Sequence, residues 1–144
     1  MPTIRIAAAL IDDAAGRLLL VRKTGTQWFM QAGGKIEDGE DALSALRREL
    51  EEEIGLSYSS EEPRYLGRYS APAANEPHFI VEADIYHIRV EHIPDTRAEI
   101  EEALWVSHAE ALAMPLALLT RERVLPLSRL LEPLRLPSMP RFPS

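Results

Sequence analysis

Alternating side chains near the start of the chain predict a β-strand. Larger apolar residues recur at every second position from Ile4 to Leu10, so one face of this strand is richer in hydrophobic groups than the other. The polar stretch 12–16 is typical of a turn. The apolar run 18–23 after it predicts a second strand, and the short connection favours a hairpin between the two.

The same patterning predicts four further strands, separated by stretches rich in polar, glycine and proline residues. The predicted strands span residues 3–10, 18–23, 28–31, 64–71, 79–90 and 103–106. A glycine pair at 33–34 follows the third strand, and a turn-rich segment at 71–77 joins the fourth to the fifth. A polar loop at 92–99 precedes the last strand.

A period of 3.6 residues predicts a helix from Glu40 to Ile54. At 100° per residue one stripe of this helix is apolar, and it consists of Leu43, Leu46, Leu50 and Ile54. Gly55 followed by the apolar Leu56 is typical of a left-handed C-cap, after which the chain packs back onto the helix. The stripe therefore predicts one buried helix face.

The C-terminal third of the chain predicts two more helices and a tail. Ser107 and Glu110 have the spacing of a capping box, which starts a short helix. Residues 120–131 are helical in pattern, and Pro126 either kinks this helix or begins its second part. We therefore expect an α/β fold in which a mixed sheet lies between helices, as one domain over residues 1–132, with a proline-rich tail at 133–144.

Composition narrows the class of protein. The 144 residues fit a single domain, and the formal net charge of −7 disfavours binding to a nucleic acid polymer. The absence of cysteine excludes a disulfide framework, a zinc–thiolate site and a cysteine nucleophile. No apolar run approaches the roughly 20 residues of a membrane span. With no signal peptide pattern at the start, the prediction is a cytoplasmic protein without membrane contact.

The end of the first helix carries more acid than helix stability favours. Glu49, Glu51, Glu52 and Glu53 lie close together just before Gly55. Like charges three or four residues apart cost about 0.2–0.5 kcal/mol per pair, and each exposed carboxylate near a helix C-terminus costs about 0.3–1 kcal/mol. One interpretation is a solvated acidic face. The other is a functional site, because several carboxylates on one helix edge suit a hard divalent cation.

The spacing of these residues resembles a known motif. From Gly34 the chain has five residues, Glu40, seven residues, Arg48-Glu49-Leu50, one residue, Glu52-Glu53, one residue, and Gly55-Leu56. This is similar to the Nudix box at every specified position, and the resemblance covers most of the chain. It implies a Nudix-type α/β/α sandwich. It also implies hydrolysis of a nucleoside diphosphate linked to another group, with Mg²⁺ or Mn²⁺ as the cofactor.

The resemblance also implies roles for individual residues. Glu49, Glu52 and Glu53 are expected to be metal ligands or the catalytic base, with the backbone carbonyl of Gly33 as an additional candidate ligand. Arg48 is expected to orient the glutamates through hydrogen bonds. In the same pattern Gly34, Glu40 and Gly55 are structural positions of the box, and Glu40 joins the network around the arginine.

The residue chemistry agrees with this interpretation. A pyrophosphate is negatively charged, so bare carboxylates would repel it, and a divalent cation between them reverses the local field. Glu49 and Glu53 are one helical turn apart and can address the same ion, while Glu52 can bind a second ion or orient its water.

The resemblance also implies one further glutamate on a loop before the last strand, as a base or as another ligand. Glu99 is our prediction, with Glu101 and Glu102 as alternatives.

Substrate contacts are less defined by the sequence. Lys35 either contacts a phosphate or is solvated, and Arg22 and Lys23 at the end of the second predicted strand have the same two interpretations. Trp28 either stacks on a base or belongs to the core or its rim. Asn75 and Glu76 either contact substrate or simply form a turn.

Three hypotheses follow from the sequence. The first is a metal-dependent hydrolase that cleaves a pyrophosphate bond in a small nucleotide, such as a nucleoside triphosphate. The second is a non-catalytic nucleotide-sensing module of the same fold. The third, isomerisation of a prenyl diphosphate on a related fold, would need a cysteine, and the chain has none. The apolar, proline-rich C-terminus is either a mobile tail or a cover for the partner in a homodimer.

Overall fold

A computed structural model describes residues 2–58, 63–90 and 99–135, and in these ranges the chain forms one mixed sheet with helices against it. The strands are β1 Thr3–Asp12, β2 Leu18–Lys23, β3 Phe29–Met30, β4 Gly33–Lys35, β5 Arg64–Pro72, β6 Ile80–Arg89 and β7 Ile100–Val106. The helices are α1 Ala42–Ile54, α2 His108–Leu112 and α3 Leu125–Arg135, the last preceded by a π-helical turn at Thr120–Val124. The predicted α/β fold with a mixed sheet is confirmed.

Strand β1 is the centre of the sheet. It pairs in parallel with β6 along its whole length, from Thr3 opposite Ile80 to Asp12 opposite Arg89. Its other edge is shared, because β4 pairs with it in antiparallel orientation at positions 6–8 and β2 pairs with it at Asp12. Parallel and antiparallel pairs on one strand make the sheet mixed.

The predicted hairpin between the first two strands is wrong over most of its length. β1 and β2 meet in register at Asp12 and Leu18, and β2 then pairs with β7 instead. The reason is the short glycine strand β4, which occupies the edge of β1 that a hairpin partner would need. The glycine pair at 33–34 was predicted only to follow a strand, but it forms most of the strand β4 itself. Strand β7 begins at Ile100, earlier than its predicted start at residue 103.

Helix α1 forms as its sequence predicts, with a start two residues later than expected. Asp41 is the N-cap, and its side chain accepts a hydrogen bond of 2.7 Å from the backbone N–H of Ser44. Gly55 adopts a left-handed conformation with φ of 63°, and its N–H donates to the carbonyl of Glu51. These caps fix both ends of the helix and so the position of its acidic C-terminal turn.

Two cores hold the layers together, one on each face of the sheet. Leu46, Leu50 and Ile54 of α1 are fully buried against the face of β1 that carries Ala7 and Ala9. Burying each of these larger side chains stabilises the fold by about 1.5–3 kcal/mol. The opposite face packs against α2 and α3, with a second group of buried residues that includes Leu10, Ile85, Val124 and Leu125.

The C-terminal helices follow the predicted caps. Ser107 and Glu110 form the capping box at the start of α2. Pro126 begins the second part of the last helical stretch, because it lies in the first turn of α3, where a missing N–H costs little. Helix α3 continues to Arg135, past the expected boundary after residue 132, and residues 136–144 of the predicted tail lie outside the described residues.

The predicted loop at 92–99 lies, apart from its last residue, outside the described ranges as well. Among the helices that the structure describes, none combines the length and the apolar character of a membrane span.

Candidate active site

The glycine strand β4 brings the backbone into contact with the acidic end of α1. Gly33 has φ of 148° and lies so close to β1 that a Cβ atom there would overlap the carbonyl oxygen of Ala7. A Cβ atom on Gly34 would overlap the carboxylate of Glu49. Both positions therefore need glycine for space, and the helix carboxylates lie directly against this strand.

Glu53 is the most buried of the helix carboxylates. Its relative exposure is 6%, and its Oε1 accepts a hydrogen bond of 3.2 Å from the N–H of Gly33. Burial raises the pKa of Glu53 to about 7, against the opposing effects of the Gly33 hydrogen bond and the positive charge of Lys23. The negative charges of Glu49 and Glu99 raise it further. A carboxyl with a pKa near neutrality is suited to proton transfer.

Arg48 holds the other acidic side chains in place. Its guanidinium donates two hydrogen bonds of 2.9 Å to Glu40 and one of 2.8 Å to Glu49. A fourth hydrogen bond, 3.1 Å long, goes to the backbone carbonyl of Lys35 in β4. The hydrogen bonds from Arg48 lower the pKa of the Glu40 carboxyl to about 2, with help from the N–H of Glu37. Arg48 thus ties the helix to the glycine strand.

Glu52 and Glu99 lie at the exposed side of this group. The side chain of Glu52 is 57% exposed, and its carboxylate is 3.7 Å from the guanidinium of Arg48. Glu99 is exposed, and its backbone carbonyl accepts a hydrogen bond of 2.7 Å from the N–H of Thr24. The negative charge of Glu99 raises the pKa of Glu53, so the structure brings this predicted residue to the same site. Glu51, the acidic residue outside the box, is exposed.

The donor set fits a hard divalent cation. Carboxylate oxygens are the ligands that Mg²⁺ prefers, and a cation beside Glu53 would compensate the charge that burial disfavours. In the described ranges no three His, Asp or Glu side chains converge closely enough to hold an ion. Glu49 accepts from Arg48 through Oε2 and Glu53 accepts from the N–H of Gly33 through Oε1, so these two hydrogen bonds use one oxygen of each carboxylate.

An apolar cleft lies on the other face of β1, and β4 forms part of its wall. The cleft is bounded by β1, β4, the segment 72–76 and residues near the start of the last helical stretch. Its polar lining residues are Lys23, Gln31, Lys35, Asn75 and Glu76. Because Gly33 and Gly34 contact both the cleft and the carboxylates, a ligand in the cleft can reach the acidic site along β4.

The predicted substrate residues occupy different environments. Lys35 lines the cleft with a 65% exposed side chain, and its ammonium lies 4.0 Å from Glu76 across the opening. Arg22 is engaged elsewhere, because it donates to Glu102 at 2.9 Å and to the carbonyl of Thr26 at 2.8 Å. Trp28 is half-buried, and neither it nor Arg22 is among the residues lining the cleft.

Sequence reasoning left Lys23 open and missed Gln31 as a site residue. Lys23 lines the cleft, and its positive charge lowers the pKa of Glu53. Its neighbour Arg22 instead donates a hydrogen bond to the carbonyl of Thr26. Alternation along β2 places Arg22 on the face of Leu18 and Leu20, and the register of the strand shifts between Arg22 and Lys23, so strand periodicity does not predict that Lys23 lines the cleft. Gln31 is paired with Thr120, and no local pattern predicts a contact between such distant positions.

This chain is similar to known proteins over most of its length. A NUDIX domain model matches residues 2–127. The CTP pyrophosphohydrolase of Escherichia coli (strain K12) is 33% identical over 127 residues, which are 81% of this chain and 85% of that protein. The 8-oxo-dGTP diphosphatase of Haemophilus influenzae is 42% identical over 57 residues, covering 37% of this chain and 42% of that protein.

The fold is also similar to that of a solved structure. The crystal structure of a MutT protein from Methanosarcina mazei Go1 superposes with a TM-score of 0.75, covering 91% of this chain and 96% of that chain at 24% identity. Sheet, helix layers and acidic helix end together define an α/β sandwich protein with a carboxylate site. The chain belongs to the Nudix hydrolase family, as its box predicts. Members of this family generally need a divalent metal ion.

Proposed function

We propose that this protein hydrolyses a pyrophosphate bond of a nucleoside triphosphate in a reaction that depends on Mg²⁺ or Mn²⁺. The observation that carries the proposal is the buried carboxylate of Glu53, held against the N–H of Gly33 directly beside an apolar cleft. The names of two relatives, a CTP pyrophosphohydrolase and an 8-oxo-dGTP diphosphatase, support a triphosphate substrate.

The residues then have the following roles. Glu49, Glu52 and Glu53 would hold a divalent ion, with the carbonyl of Gly33 as a further candidate ligand. When bound, such an ion would supply polarisation of the phosphoryl oxygens and a lowered pKa for a water molecule. Lys23 and Lys35 line the cleft and offset the charge of the phosphates.

The chemical step is an in-line displacement at phosphorus. The water oxygen forms a bond to phosphorus, the bridging P–O bond breaks, and the electron pair leaves with the departing phosphate. The proton of the water passes to a glutamate. Glu52, Glu53 and Glu99 are the candidates for this base.

A nucleotide panel tests the proposal. We would measure release of pyrophosphate and phosphate from CTP, UTP, GTP, ATP and 8-oxo-dGTP with Mg²⁺ or Mn²⁺ present. We expect turnover of at least one triphosphate, and a loss of about 10²–10⁴-fold in kcat for Glu53→Gln. Glu51→Gln is the matched control, because Glu51 is exposed on the same helix and outside the box.

Two outcomes would contradict this function. Wild-type turnover in Glu53→Gln would mean that the acidic site is not where the reaction occurs. Tight nucleotide binding without hydrolysis across the panel would instead support the nucleotide-sensing module. A cytoplasmic location without membrane contact and the alternative of a homodimer remain predictions from the sequence.

A further inference from the structure

The floor of the cleft contains a polar pair that the proposed hydrolysis does not use. Gln31 lines the cleft with a relative exposure of only 6%, and Thr120 is fully buried behind it. The hydroxyl of Thr120 donates a hydrogen bond of 2.7 Å to Oε1 of Gln31. Buried polar groups are costly unless they are paired, so the presence of this pair in an otherwise apolar floor needs a reason.

The hydrogen bond from Thr120 occupies the carbonyl end of the Gln31 amide in this structure. An amide side chain has one carbonyl acceptor and one NH₂ group with two donors. Thr120 engages the carbonyl, and within the described residues the NH₂ group of Gln31 has no hydrogen-bond partner. An N–H donor is therefore available at the bottom of the cleft.

The rest of the cleft suits a flat group with apolar faces. Its apolar lining consists chiefly of Ile4, Ile6, Ala8, Met30, Val81 and Leu119. A nucleobase has such faces and carries its hydrogen-bonding atoms along its edges. In these surroundings a donor left unpaired by the ligand costs about 1–3 kcal/mol, which is enough to discriminate between bases.

We propose that Gln31, oriented by Thr120, donates an amide N–H to a carbonyl oxygen on the nucleobase. The cleft then favours cytosine, uracil and guanine, whose carbonyl oxygens accept this N–H, over adenine, whose N1 and N7 acceptors each lie next to the N6 amino group, a donor that opposes the donors of the amide. This inference rests on the proposed function for the presence of a nucleotide in the cleft. It assigns a specificity-determining role to Gln31 and a positioning role to Thr120.

The first test is the base preference of turnover. We would measure kcat/KM for CTP, UTP, GTP and ATP with the wild-type protein and with Gln31→Leu. We expect the wild type to turn over its best carbonyl-bearing substrate in preference to ATP. In Gln31→Leu, kcat/KM for that substrate should fall about 10–100-fold, while the value for ATP changes less than about threefold.

Two further variants separate specificity from folding. Gln31→Leu leaves the Thr120 hydroxyl unpaired, so the double variant Gln31→Leu/Thr120→Val replaces both partners with apolar groups and should keep the fold. Thr120→Val alone keeps the Gln31 amide but removes the hydrogen bond that orients it. The ratio of kcat/KM between the best carbonyl-bearing substrate and ATP should therefore decrease. Ser128→Ala is the matched control, because it removes a buried hydroxyl in α3 that bonds Leu125 outside the cleft.

Binding of products gives a readout that does not need turnover. We would titrate CMP, GMP and AMP into the wild type and the double variant, and expect tighter binding of CMP or GMP than of AMP only in the wild type. Equal losses for all bases, or an unchanged preference in the double variant, would overturn the role of Gln31. Gln31-dependent binding without any hydrolysis would contradict the proposed function and leave this inference standing.

Discussion

At the scale of single residues, Arg48 has the most contacts with the box. Its guanidinium joins Glu40, Glu49 and the carbonyl of Lys35, and these contacts require several donors at fixed angles. A guanidinium offers five N–H groups in one plane, whereas the ammonium of lysine is a compact point charge. Geometry as well as charge therefore explains why this position carries arginine.

This contrast gives a prediction for Arg48→Lys. The variant keeps the positive charge but cannot hold Glu40 and Glu49 together, so we expect kcat/KM to fall about 10–100-fold. Steady-state kinetics on the best triphosphate measures the effect. Arg47→Lys is the matched control, because Arg47 contacts Tyr58 and none of the carboxylates. Equal activity of the two variants would contradict the positioning role.

Glu53 gives a second prediction, on stability against pH without metal. Burial raises its pKa from the usual 4.5 to about 7, so the folded protein holds this proton more tightly than the unfolded chain. The bound proton stabilises the folded state by about 3 kcal/mol below about pH 4.5, and this stabilisation is lost as the pH rises through about 7. The glutamine of Glu53→Gln has no titrating proton, so this variant does not lose the same stabilisation as the pH rises.

Urea denaturation in a chelating buffer measures the difference. Between about pH 5.5 and about pH 8.5, the free energy of unfolding of Glu53→Gln should rise by about 2 kcal/mol relative to the wild type. Glu51→Gln, which alters an exposed carboxylate, should show no such trend. A constant difference between Glu53→Gln and the wild type would show that the buried carboxylate is not destabilised.

At the scale of elements, the contact between β4 and α1 defines the site. Each glycine of β4 meets one partner closely: Gly33 lies against the carbonyl of Ala7, and Gly34 against the carboxylate of Glu49. The helix is held from its own side by its caps at Asp41 and Gly55. Strand and helix therefore have little freedom to separate.

Gly34→Ala tests this contact. The added methyl group would overlap the Glu49 carboxylate, which must then move away from the strand. We expect kcat/KM to fall at least about 10-fold, with a requirement for more metal, because misplaced ligands weaken the site. Gly25→Ala is the control, since a Cβ atom there has open space although its left-handed backbone costs about 1–2 kcal/mol.

The sequence predicts local structure well and distant pairing poorly. Helix α1, its Gly55 cap and the α2 capping box depend on residues within a few positions of one another, and each was predicted. The pairing of β2 with β7 depends on residues about 80 positions apart, and the alternation along β2 fits either partner equally well.

The candidate site also has one part that the sequence predicts and one part that it does not. The box residues lie together because one helix carries most of them, so their spacing alone predicts the cluster. The cleft is built from β1, β4, the segment 72–76 and residues before α3, and its Gln31–Thr120 pair joins positions 89 apart. Motif spacing therefore indicates the chemistry but leaves the substrate-binding surface undetermined.

At the scale of the whole molecule, the net charge of −7 and the cluster of carboxylates oppose folding in the absence of cations. A ligand that binds only the folded state stabilises it by about 2.7 kcal/mol at 100 times its Kd. We therefore expect saturating Mg²⁺ to raise the Tm by about 5–10 °C. Differential scanning calorimetry at constant ionic strength, with Na⁺ as the screening control, measures this shift.

The shift should depend on the helix carboxylates. Glu49→Gln and Glu53→Gln are expected to lose most of it, whereas Glu51→Gln should retain it because this residue lies outside the box. A shift of equal size in all three variants would mean that Mg²⁺ binds elsewhere or acts only by screening.

Strand β4 has a consequence for how this protein can change. The carboxylates approach its glycines from the side of α1, and the cleft lies on the opposite face of β1, where α3 packs. On the proposed role of the cleft, we therefore expect substitutions at Gln31 or Leu119 to change the base preference and to leave the carboxylate site in place. Directed evolution of new substrate ranges would best begin on the cleft side of this strand, with the helix side left intact.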